Sequence, residues 1–225
     1  VFGSVGPGTK LPSLGHIGFR ELRAAYGTQV AAMLRGGIDA VQIETCQDLL
    51  QVKAAVQGSR RAMAEVGREV PVLVNVSIET NGTMLLGSEI GAALAALEPL
   101  GIDVLGLNCS TGPAEMSEHL RHLSRFARIG VGCMPNAGLP ELTADGARYP
   151  LGPEGFTAAM AGYATEFGLS VVGGCCGTTP STSGSSSRPS AAGRWPTGRS
   201  RRPGRAARPS RACTPRPRCG RTPRT

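Results

Sequence analysis

Short apolar runs rich in β-branched residues alternate with stretches of helical periodicity from residue 1 to residue 180, and this alternation constrains the fold more than any other feature. The runs Ile38 to Glu44, Pro71 to Ile78, Ile102 to Leu107, Ile129 to Cys133 and Leu169 to Val172 read as strands, with Val1 to Val5 as an earlier one. Between them Leu22, Tyr26, Val30, Met33 and Leu34 share one helical face. So do Leu49, Val52, Val56, Met63 and Val66, and later Phe156, Met160, Tyr163 and Phe167. Glycine stands just before three strands, at Gly37, Gly101 and Gly168, where a left-handed residue closes a helix. Each strand–helix unit takes roughly 30 residues, about one eighth of a β/α barrel.

Strand–helix alternation makes this an α/β chain with a parallel sheet, which can close into a ring or stay open. The strand ends separate the two. They read GSVGPG, ETCQD, SIETNG, NCSTGP, PNAGLP and GGCCGTTP, each polar or reactive. A barrel gathers such residues from every strand onto one rim, whereas an open doubly wound sheet concentrates them at a switch point. The expected fold is therefore a (β/α)8 TIM barrel, incomplete here with about six of eight units, and the open sheet is the alternative.

The last of these motifs places Cys175 beside Cys176. Neighbouring cysteines can form only a strained disulfide ring, so a structural cross-link is a poor explanation and metal ligation a better one. Successive strand residues face opposite ways, but Gly174 and Gly177 let the backbone turn until both sulfurs face one point. Cys109 ends another strand and would reach the same rim. Three thiolates on zinc leave a fourth position open, the mark of a catalytic site. A substrate thiol bound there would be deprotonated outright. Four thiolates on one zinc carry roughly two excess negative charges, which keeps the bound sulfur nucleophilic and suits alkyl transfer to sulfur. The bland alternative is that free cysteines are small core residues, and Cys46 and Cys133 take that reading.

Composition divides the chain at Pro180. Residues 1–180 carry 12 basic against 16 acidic side chains, while 181–225 carry 12 arginines, no acid and no Val, Ile, Leu, Met or Phe. Such a tail has too little apolar surface to offset the entropy of ordering. Its composition is that of GC-rich DNA translated out of frame, and this reading is preferred to a basic nucleic-acid-binding arm. An odd count of seven cysteines, no secretory signal and no membrane-spanning apolar run point to a reducing, cytoplasmic setting.

Taken together, GGCCGTTP, LNCSTGP, MPNAGLP and VQIETCQD resemble the homocysteine S-methyltransferase family, and within it the homocysteine-binding domain of the cobalamin-dependent methionine synthases. The resemblance covers essentially all of residues 1–180. It implies a methyltransferase in which zinc, held by Cys109, Cys175 and Cys176, activates the homocysteine thiolate for methyl transfer from methylcobalamin to give methionine. It also implies that Asn136 is an exchangeable fourth zinc ligand and that Glu44 holds the substrate amino group. From the residues alone, Asn136 is equally a turn residue after Pro135, and Glu44 an acid before a helix. The family's first strand, with its DGAMGT-like motif, and the strand after it are not found, and the pattern stops after Pro180. Cobalamin- and folate-binding modules are likewise absent, so full turnover is expected to need other polypeptide segments. Two alternatives stand beside this reading: a non-catalytic zinc-binding fragment with a basic nucleic-acid-binding tail, and an S-methyltransferase using a sulfonium donor. His16, His119 and His122 read as surface residues.

Overall fold

The structure is a computed structural model that describes residues 1–144 and 146–182. The expected division at 180, with the arginine-rich segment beyond it, lies almost wholly outside the described residues.

Five strand–helix units follow one another: β1 (Phe2–Val5), α1 (Phe19–Arg35), β2 (Ala40–Cys46), α2 (Leu49–Val66), β3 (Val72–Val76), α3 (Ile90–Leu97), β4 (Val104–Asn108), α4 (Pro113–Phe126), β5 (Gly130–Met134), a hairpin β6 (Glu141–Thr143) and β7 (Gly146–Arg148), and α5 (Pro153–Phe167). The chain then enters β8 (Val171–Val172). Every pairing in the main sheet is parallel, in the order β1-β2-β3-β4-β5-β8. This sequential order belongs to a ring that is not closed among the described residues. A doubly wound sheet would reverse its strand order part-way, so the open-sheet alternative falls.

The strands are short and buried because helices cover one face of the sheet. Val41 and Ile43, Val72, Val74 and Val76, Leu105 and Leu107, and Val131 and Cys133 pack outward against Leu22, Tyr26, Val30, Val52, Val56, Met63, Leu120 and Leu123 in one continuous core. A fully buried Val or Leu contributes roughly 1.5–3 kcal/mol, and this layer holds the fold together. The opposite, inner face is narrower: Ala40, Leu73 and Val104 form a separate small cluster against Val171. Close packing there explains Gly106, where a Cβ would lie 2.4 Å from Asn75 Oδ1 and 2.6 Å from Gly132 O.

The helix-closing glycines behave as expected, Gly37, Gly101 and Gly168 having φ of 90°, 73° and 63°. Three expectations need correction. The hairpin β6–β7 was not foreseen, because all its described residues are exposed and it lacks the apolar alternation of a packed strand. The second strand begins at Ala40 and runs on to Cys46, since a bulge between Ile43 and Cys46 lets Cys46 pair with Val76. His119 and His122 are half-buried on α4 rather than on the surface, and burial lowers the pKa of His119. None of the described helices is long and apolar enough to cross a membrane.

Candidate metal and substrate site

The carboxyl ends of β4 and β8 meet at a cluster of thiols. After Asn108 the backbone turns left-handed at two successive non-glycine residues, Cys109 and Ser110, both with φ of 59°. Such residues cost of order 1–3 kcal/mol each and persist only where the surroundings fix them. Here the Cys109 amide donates to Met134 O at 3.2 Å, Ser77 Oγ donates to Asn108 O at 3.0 Å, and Ser110 Oγ donates to Glu79 Oε1 at 3.1 Å. The turn delivers the Cys109 sulfur to the rim and feeds directly into α4, whose first residue is Pro113 and whose Gly112 amide is capped by Glu115 Oε2 at 3.0 Å. A Cβ on Gly112 would lie 2.8 Å from Gly138 Cα, so this loop can touch the PNAG loop only as glycine.

The Cys175–Cys176 loop is laced to that PNAG loop. The Cys175 amide donates to Pro135 O at 2.8 Å, Ala137 donates to Cys176 O at 2.9 Å, and the Cys176 amide donates to Asn136 Oδ1 at 3.1 Å. Thr178 closes the turn, its hydroxyl donating to Cys175 O at 2.7 Å. Gly177 follows with φ of 78°, and Tyr149 packs on the space a side chain would need, its Cγ 2.3 Å from an ideal Cβ.

The three sulfurs lie within 4.8 Å of one another, with Cys109–Cys176 at 3.7 Å and Cys175–Cys176 at 3.9 Å. Tetrahedral zinc with Zn–S bonds near 2.3 Å requires sulfurs about 3.8 Å apart, so the donor set fits zinc in both chemistry and spacing. Cys109 and Cys175 are half-buried and Cys176 is more exposed, which leaves the cluster open on one side. A hydrogen bond from the Cys175 thiol, followed by bonds from the Ser110 backbone and Cys176, pulls Cys109 down to about 6. Cys175 moves the other way, because Cys109 takes the proton's acceptor role beside it and burial adds to the effect. Cys46 and Cys133 are fully buried, and burial pushes both thiols up to about 12, consistent with core residues.

Glu44 sits at the mouth of β2, half-buried. It accepts from Ser4 Oγ on β1, from Gln42 Nε2 at 3.5 Å and from Asn108 Nδ2 at 3.4 Å. It does not cap α2, because Asp48 does, accepting from the Leu50 amide at 2.8 Å. Asn136 is 3% exposed and lies against Cys176. The second carboxylate at this rim, Glu79, and the linking amide, Asn108, were not singled out from the sequence. The strand-end rule that selects IET also selects SIETNG and would have reached Glu79. Asn108 also approaches the Cys175 sulfur at 3.9 Å, joining the carboxylate to the thiols.

Residues 1–182 match the homocysteine S-methyltransferase family. The chain belongs to that family. It is 69% identical to methionine synthase of Mycobacterium leprae (strain TN) over 180 residues and 67% identical to methionine synthase of Mycobacterium tuberculosis (strain ATCC 25618 / H37Rv) over the same length. These alignments take in 80% of this chain but 15% of either relative, so the chain spans about a seventh of their length. In fold it is similar to the apo form of the homocysteine methyltransferase MmuM from Escherichia coli, with a TM-score of 0.63 at 21% identity, over 83% of this chain and 61% of that one. The metallated form of MmuM gives a TM-score of 0.58 at 20% identity, over 83% and 59%. The likeness identifies the six-stranded curled sheet as part of a TIM-barrel wall, as the strand-end motifs of this S-methyltransferase chain imply.

Proposed function

We propose that this chain is the homocysteine-activating part of a methionine synthase, with Cys109, Cys175 and Cys176 as its zinc ligands. The observation that carries the reading is the convergence of three sulfurs at 3.7 and 3.9 Å in a chain 69% identical to a methionine synthase. Zinc held there would supply a Lewis acid that lowers the pKa of an incoming thiol. The residues around it do the positioning. Glu44, a half-buried carboxylate held by Gln42 and Asn108, pairs with the homocysteine ammonium. Asn136 fixes the Cys176 amide through one lone pair of Oδ1, and the second would make it an exchangeable fourth ligand to the zinc. The homocysteine thiolate then attacks a methyl group, forming the new S–CH3 bond of methionine as the bond from that carbon to its carrier breaks. The donor is methylcobalamin carried on a separate module, and a cytoplasmic setting keeps the thiols reduced.

Zinc content of the purified full chain tests this reading, with Cys175→Ala measured alongside. About one zinc per chain, lost in the variant, and zinc-dependent methyl transfer from methylcobalamin to homocysteine once the flanking segments of the synthase are supplied, are the expected results. Stoichiometric zinc that survives Cys175→Ala, or methyl transfer that does not depend on zinc, overturns it.

A further inference from the structure

On the outer layer, α1 and α2 touch backbone to backbone. A Cβ on Gly58 would lie 2.6 Å from Arg23 O and 3.0 Å from Gly27 N, and one on Gly27 would lie 3.4 Å from Gly58 O. Beside this crossing a cavity of about 300 Å³ opens, lined by small residues including Ala24, Ala31 and Ala62. That volume is at the lower end of small-molecule sites. Its rim is charged: Arg23, Arg35 and Arg61 against a single acid, Glu65.

These arginines are not equivalent. Arg35 is committed to Glu65 at 2.7 Å. Arg23 and Arg61 have no ion-pair or hydrogen-bond partner among the described residues, and the Nε of Arg23 is buried without one. Arg60 and Arg68 nearby are satisfied, by Gly101 O and Leu34 O, and Arg20, unpaired on α1, is exposed and lies outside the cleft. A buried unpaired donor costs roughly 1–3 kcal/mol, and two unpaired guanidinium groups lining one cavity offer the planar forks that match a phosphate.

We propose that the α1–α2 cleft is a binding site for a phosphate group, free or carried on a small molecule, with Arg23 and Arg61 as its ligands. Arg23 supplies a buried, unpartnered Nε to the lining and Arg61 an exposed guanidinium. No residue of the thiol cluster lines the cleft, so its occupancy can be read without reference to zinc or homocysteine.

Thermal unfolding and calorimetry of the full chain, with inorganic phosphate as the probe and sodium chloride at matched ionic strength as the reference, test the proposal. Phosphate is expected to raise Tm above the chloride reference, and its affinity to fall at least tenfold in both Arg23→Ala and Arg61→Gln. Arg148→Ala, in the exposed hairpin, is expected to keep the native response. Arg61 is exposed, so its variant folds even if Arg23→Ala does not. No phosphate-specific rise overturns the site. Binding that persists in Arg61→Gln also overturns it, and belongs instead to the arginine-rich residues 181–225, which every variant retains.

Discussion

Asn108 at the end of β4 holds Thr45 in the bulge of β2, two strands away in the sheet: its Oδ1 accepts from the Thr45 amide at 2.9 Å and its Nδ2 donates to Thr45 Oγ1 at 2.8 Å. Thr45 has φ of 59°, a conformation a β-branched residue resists, and Asn108 is 1% exposed. The amide therefore spans the rim and fixes the bulge beside Glu44, whose Oε2 accepts from the same Nδ2. Asn108→Ala leaves the Thr45 amide unpaired and is expected to lower unfolding free energy by about 2–3 kcal/mol, read from urea denaturation. A loss within about 0.5 kcal/mol would mean that the bulge holds itself.

Zinc uptake should release protons, because thiols ligate as thiolates. Cys109, at about 6, is already ionised at neutral pH. Calorimetric titration at pH 7.5 in buffers of different ionisation enthalpy is expected to count fewer than three protons per zinc. Three would show that Cys109 is protonated in the free site.

Glu44→Gln keeps shape and removes charge. With an ammonium as its partner, a charge-assisted hydrogen bond of about 1.5–3 kcal/mol is lost, so the Kd for homocysteine on the zinc-loaded chain should rise about 10- to 100-fold while zinc content stays constant. An unchanged Kd would assign the ammonium to another acid, with Glu79 the first to try.

The buried thiols set an alkaline limit. Their folded pKa values, about 12, lie above the ordinary 9.0. The stabilisation this represents is intact below pH 9.0 and is lost as pH rises toward about 12, since only the unfolded chain ionises in that window. Each thiol contributes a slope of about −1.4 kcal/mol per pH unit. Cys133→Ala should therefore lose stability less steeply than the native chain above pH 9.0, whatever its cost at neutral pH. Parallel curves would refute a neutral Cys133.

Gly177→Ala asks the backbone for a left-handed alanine and drives its Cβ into Tyr149. A loss of more than about 1 kcal/mol is expected from backbone strain alone. Measured in a Tyr149→Gly background, the same substitution should cost less, the difference being the steric term. Equal costs in both backgrounds would assign the whole effect to the backbone.

The core and the thiols were legible because each is a local pattern. Val52, Val56 and Met63 recur at helical spacing and are buried, and Cys175 and Cys176 carry their own signal through the glycines around them. What escaped was made of long-range partnerships. Asn108 is an ordinary strand-end amide until Thr45, 63 residues away, adopts a left-handed turn. Glu79 stands in a strand-end motif, but its carboxylate is tied to the thiol turn through Ser110, 31 residues on. The hairpin β6–β7 escaped because its described residues are exposed and carry no apolar alternation.

The last strand meets the sheet through only two residue pairs, Gly132 with Val171 and Cys133 with Val172. Two of the three thiols follow that short seam, and what holds them beyond it is the lacing of Cys175 and Cys176 to Pro135, Asn136 and Ala137. An ion held between Cys109 and this loop would then escape when the seam and its lacing open together, one local event freeing two of its three sulfurs. Metal residence time at this site is thus a property of the β5–β8 seam as much as of the cysteines, and amide exchange at Gly173 and Cys175 is the clock that would read it.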